Sequence, residues 1–138
     1  MKCPIFISYK RVNRRIVFDV VRKIEDKLGV KCWVDYDGIE SNDQFVSKIC
    51  HAIDQSNVFL FMHSAAHLSI DYDEDYTIKE LKYAKHKKKK IIVIKLDESP
   101  LDNYFLFEFG TKNYRDIRDE FQFERIISDM IRWGISPT

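Results

Sequence analysis

The feature that most constrains this chain is an alternation. Short, continuously apolar runs are separated by stretches whose apolar residues recur every three or four positions. "PIFIS" (4–8), "VKCWVD" (30–35), "NVFLFMH" (57–63) and "KIIVIKL" (90–96) are the runs, each of strand length. Pro4 opens the first of them, where a missing backbone donor does least harm to a strand. "NVFLFMH" is apolar without a break, as expected of a strand covered on both faces. After the first run, Ile16, Val17, Val20, Val21, Ile24 and Leu28 line one face of a helix. Arg15, Asp19, Arg22, Lys23, Glu25 and Lys27 fill the other, and Gly29 suits the C-terminal cap. After the second run, Ser41, Asn42 or Asp43 can cap a helix that buries Phe45, Val46, Ile49, Cys50 and Ile53. Ile78, Leu81 and Ala84 predict a third helix over about 75–85. A last helix carries Ile117, Phe121, Phe123, Ile126, Ile127, Met130 and Ile131 and ends at Gly134 and Pro137. Residues 97–116 stay open: "NYFLFEF" fits a strand or one turn of helix, and "NYRDI" fits an edge strand.

Strands alternating with helices through short connections form a parallel sheet with right-handed crossovers and helices on both faces. The fold class expected is therefore α/β, a single doubly wound domain with a central parallel sheet of four to five strands. At 138 residues one domain is the natural count, and a chain of this length buries a sufficient core without disulfides. Ligands in such folds bind beyond the carboxyl ends of the strands, which directs attention to "YKRVNR", "DYDGIESND" and "HSAAHLSIDYDEDY".

Several function classes are disfavoured. A formal charge of +1, from 23 basic and 22 acidic residues, is far from the basic excess of a dedicated nucleic-acid binder. The four glycines, Gly29, Gly38, Gly110 and Gly134, are too dispersed for either standard phosphate cradle. His51, His63, His67 and His86 have no metal-ligand spacing, and Ser64 lacks a nucleophile elbow. Cys3, Cys32 and Cys50 form no CxxC pair and read as reduced thiols of a cytoplasmic protein. No stretch approaches the roughly 20 apolar residues that span a bilayer, nor does the first run suit a signal peptide. The lysine run "KHKKKK" (85–90) reads most simply as solvated cations opposing the negative end of a helix dipole.

Three segments converge on one family. "PIFISYKR", "CWVDYDGIESNDQFVSKICHAIDQS" and "NVFLFMHSAAHLS" resemble the Toll/interleukin-1 receptor (TIR) domain, with similarity over residues 4–133. The resemblance is to the bacterial type found in immune and effector proteins. It implies a flavodoxin-like sheet and one of two activities: hydrolysis or cyclisation of NAD+ at the nicotinamide–ribose bond, or non-catalytic assembly through TIR–TIR contacts. It further implies self-association, up to filaments, and a sensor domain in the same or a partner chain. NAD+ is then the substrate and no cofactor is needed; neither nucleic acid nor a membrane is a direct partner. A nucleoside-processing enzyme of the related deoxyribosyltransferase type is a third reading.

In the family's enzymes a glutamate on the third helix is catalytic, four residues after an aromatic that is commonly Trp. Tyr76 and Glu80 have that spacing, and positions i and i+4 share a helix face. Taken alone the pair is a weak pattern, and it reads more simply as Tyr76 packed against the core and Glu80 facing water near the lysines. Within the family frame Glu80 is the catalytic carboxylate and Tyr76 a wall of the nicotinamide pocket. By position, the resemblance also implies substrate contacts at Tyr9, Lys10, Arg11, Asp35, Glu40, Phe45 and Ser64. Each has a plainer alternative: solvated surface for Tyr9, Lys10 and Arg11, loop-fixing for Asp35 and Glu40, core for Phe45, and a turn cap for Ser64. The chain departs from the family pattern at Ser41 and Asn42, where a glycine is common, and in the acidic "SIDYDED" before Tyr76.

Overall fold

Strands buried on both faces need helices above and below, and the computed structural model of the chain has that arrangement. It describes residues 3–34, 43–68, 70, 75–109 and 114–136. The strands are β1 (Ile5–Ser8), β2 (Cys32–Trp33), β3 (Val58–His63), β4 (Lys90–Lys95) and β5 (Tyr114–Asp116). The helices are α1 (Arg14–Leu28), α2 (Asp43–Gln55), α3 (Tyr76–His86), α4 (Asn103–Phe109) and α5 (Glu120–Arg132). All strands run parallel in the order β2-β1-β3-β4-β5. The winding direction reverses between β1 and β3, so the crevice beyond their carboxyl ends is the topological switch point.

Side-chain alternation along β1 divides the core in two. Ile5 and Ile7 face α1 and α5, joining Val17, Val20, Val21, Ile24, Leu28, Ile126 and Met130. Phe6 faces α2, α3 and α4, joining Phe45, Ile49, Ile53, Ile78, Leu81 and Phe105. On this second face Phe6 stacks on Trp33 at 4.8 Å and on Phe59 at 5.3 Å, a ladder that ties β2, β1 and β3. Burial of each large side chain stabilises the fold by about 1.5–3 kcal/mol. Gly29 closes α1 at φ 66°, and its N–H reaches Glu25 O at 2.8 Å.

Several sequence expectations change in detail. "NYFLFEF" is helical, not a strand, and "NYRDI" supplies the edge strand β5. Among the described residues of the strand expected over 30–35, pairing is confined to Cys32 and Trp33. Phe121 and Ile131 lie off the buried stripe of α5, at 71% and 59% exposure, and Val46 and Ile16 are also part-exposed. An apolar count along a helix overstates its buried face when the true stripe is narrower than the set of apolar residues. The lysine run serves neighbouring elements more than its own helix. Lys89 Nζ donates to Asp54 O and Ser56 O at the end of α2, Lys87 pairs with Asp54, and Lys85 pairs with Glu108 on α4. The residue capping α2 lies outside the described residues, and no helix among those described is long and apolar enough to cross a membrane.

Candidate active site

The alternation that points Phe6 toward α3 also points Ser8 there. Ser8 is 1% exposed, and a buried hydroxyl needs a partner. It finds one 72 residues away, donating to Glu80 Oε1 at 2.7 Å. This charge-assisted bond fixes a half-buried carboxylate at the carboxyl end of the sheet, beside the switch point. A solvated helix residue has no such tether. Tyr76 stands one turn earlier on the same helix, half-buried, with Lys79 Nζ 5.5 Å from its ring centroid.

The start of α3 is held by Asp75, the N-cap. Its Oδ1 accepts from Ile78 N at 3.2 Å and from Thr77 Oγ1 at 2.5 Å, while its Oδ2 pairs with the Lys10 ammonium. Burial alone would raise the Asp75 carboxyl. The bonds from Lys10, Thr77 and Ile78 outweigh that and hold it below the ordinary value. Asp75 is therefore a neutralised cap rather than an open repulsive charge. Asp71, Asp73 and Glu74, the other acids before the helix, lie outside the described residues.

The structure separates the remaining sequence-implied residues. Lys10 is committed to Asp75 across the crevice. Arg11 sits exposed in the 3-10 turn Arg11–Asn13. Tyr9 follows the alternation to the opposite face of the sheet, edge-on to Phe18 of α1 at 5.9 Å. Phe45 is buried in the α2–α3 core. Ser64 caps the 3-10 turn Ala65–His67, accepting from Ala66 N at 3.1 Å, and also accepts from Asn13 Nδ2 at 2.7 Å. Asp35 and Glu40 lie outside the described residues.

Sequence reasoning missed Ser8, Asn13, His67 and Thr77. The signal for Ser8 was the odd–even register of "IFIS", which sets it on the face opposite Ile7. For His67 it was the capping spacing of "SAAH". Both histidines near the site are enclosed: burial first pushes His63 and His67 down to about 4, so both rings are neutral near pH 7. Among the described residues no group of His, Cys, Asp or Glu could hold a metal ion. The arrangement offers a carboxylate held in place, a group that can stabilise a developing positive charge.

A family model described as "TIR domain" matches residues 5–127. No curated protein sequence matches the chain. Among solved structures, the TIR domain of the Toll-related receptor TRR-2 from Hydra magnipapillata superposes with a TM-score of 0.67 at 20% identity, covering 94% of this chain and 98% of that one. The RPS4–RRS1 TIR heterodimer gives 0.65 at 18% identity, covering 94% and 96%. A 2-desoxiribosyltransferase from Leishmania mexicana gives 0.62 at 17% identity, covering 90% and 96%. At these identities the likeness is one of fold.

Proposed function

The chain belongs to the TIR domain family, and on that premise we propose that it cleaves the nicotinamide–ribose bond of NAD+, with Glu80 as the catalytic carboxylate. The observation that carries this reading is the Ser8–Glu80 bond, which immobilises an acid at the carboxyl ends of β1 and β3. The likeness to a deoxyribosyltransferase, an enzyme named for moving a deoxyribosyl group, supports chemistry at a ribose anomeric carbon on this fold.

Nicotinamide leaves a cationic pyridinium as a neutral molecule, so its departure needs no general acid. The electrons of the C–N bond go to the ring nitrogen and leave an oxocarbenium-like ribose. A fixed carboxylate lowers the energy of that cation, and rigidity matters because no reorganisation is then required at the moment of reaction. Attack by water gives ADP-ribose and a proton, whereas attack from within the dinucleotide gives a cyclic isomer. Tyr76, one helical turn from Glu80, is the wall of the nicotinamide pocket. Self-association activates the site, and the three free cysteines suit a reducing cytoplasm.

The test measures nicotinamide release from NAD+ at high protein concentration with a crowding agent, beside Glu80→Gln. Release by the parent and its loss in the variant support the reading; equal turnover by both refutes it. A second reading, a non-catalytic TIR–TIR binding module, is favoured by the likeness to the RPS4–RRS1 heterodimer. Under it the parent assembles, releases no nicotinamide, and assembles equally well as Glu80→Gln.

A further inference from the structure

A buried chain of hydrogen bonds joins the exits of β1 and β3 to the first turn of α3, and its polarity can be assigned atom by atom. Ser64 N–H donates to His67 Nδ1 at 3.3 Å. A backbone N–H can only donate, so Nδ1 carries the lone pair and the ring proton resides on Nε2. That proton is directed at Thr77 Oγ1, 3.1 Å away, and the Thr77 hydroxyl hydrogen goes on to Asp75 Oδ1 at 2.5 Å. Asp75 in turn caps α3 and binds Lys10. His67 is 1% exposed and Thr77 6%, so this sequence of donors is shielded from exchange with water. In a low-dielectric site a fully satisfied chain rigidifies what it connects.

We propose that His67, locked as its Nε2–H tautomer, is a positioning residue for Glu80. The inference rests on the reading of Glu80 as catalytic. Thr77 and Glu80 are three positions apart on α3, so the chain of bonds grips the helix one turn before the carboxylate. Ser8 holds the carboxylate itself. Without the grip from His67, the first turn of α3 keeps its apolar packing through Ile78 but loses its hydrogen-bonded tie to the exit of β3, and the carboxylate drifts from the reacting ribose. Burial, then the neighbouring His63, lowers the basicity of His67 and keeps it in the neutral form that this polarity requires.

Three measurements on the full chain test this. Nitrogen-15 NMR of the histidine rings is expected to show one ring with a bare Nδ1 and a protonated Nε2 that disappears in His67→Phe; an Nδ1–H or averaged tautomer overturns the proposal. Thr77→Val, which keeps the side-chain shape but ends the relay, is expected to lower kcat for NAD+ cleavage on the order of tenfold with KM little changed. Thr77→Ser, which restores the hydroxyl, is expected to recover most of that loss. Amide exchange at Ile78 and Lys79 should speed up in Thr77→Val and not in Thr77→Ser. Parental exchange and parental kcat in Thr77→Val would overturn the proposal. If the parent releases no nicotinamide, the catalytic reading fails by itself, while the tautomer and the exchange rates still decide whether His67 holds α3.

Discussion

Lowering the pH from about 7.5 to about 5.5 should destabilise the fold by about 2.7 kcal/mol through two buried imidazoles alone. His63 and His67 are each 1% exposed, with ring centroids 5.3 Å apart. Desolvation lowers both from 6.5 to about 4. In this window the unfolded chain therefore takes up two protons that the folded chain refuses. Stability is fully present above about 6.5 and is lost as pH falls toward 4, about 1.3 kcal/mol for each ring over the first two units. The carboxylates Asp75, Asp97 and Asp116, all held below the ordinary 3.8, contribute their own pH dependence only below this range. His63 Nδ1 is buried without a hydrogen-bond partner among the described residues, and its ring meets Phe105 edge-on at 5.0 Å. His63→Phe should therefore leave stability at neutral pH equal or higher and halve the acid-induced loss to about 1.3 kcal/mol. The assay is a series of urea unfolding curves across the pH range, read by tryptophan fluorescence. A variant that retains the full parental decline would refute the argument.

Other substitutions report on other parts of the molecule. Ser8→Ala removes the donor to Glu80 and should lower kcat for nicotinamide release on the order of tenfold, the loss of one hydrogen bond to a charged group. Unchanged turnover would mean that the tether does not serve catalysis. Gly29→Ala places a Cβ at φ 66° and should cost about 1 kcal/mol in urea unfolding; parental stability would count against the left-handed cap. Asp129→Ala takes from the Arg115 guanidinium, between β5 and α5, the carboxylate oxygen Oδ2 that accepts from it at 3.0 Å, leaving its bond to Tyr114 O in place. Removing one partner of so enclosed a pair should cost about 3 kcal/mol, and a loss below about 1 kcal/mol would show that the pair behaves as an exposed one.

Local periodicity was enough to read the strands at 4–8 and 57–63, the amphipathic face of α1 with its glycine cap, and a helix carrying Tyr76 and Glu80 together. Those features depend on neighbours within a turn or two, so the order of residues encodes them directly. The apolar residues of residues 103–109 fit either period because the segment is too short to choose. Packing of Phe105 and Phe109 against β3 and β4 decided for a helix. The family frame pointed to Glu80, but nothing within reach of Glu80 in the sequence says that Ser8 will hold it. The pairings of Lys10 with Asp75, Asn13 with Ser64 and His67 with Thr77 arise in the same way. Tyr9 illustrates the point in reverse: one residue along β1 from Ser8, it falls on the other side of the sheet, because strand alternation is local but which face holds α3 is not. The sequence by itself determined most of the elements and the class of fold, and through the family resemblance it pointed to Glu80. Only the tertiary structure decided what surrounds that acid, because the parallel register of β1 and β3 and the crossovers between them bring together loops distant in the chain.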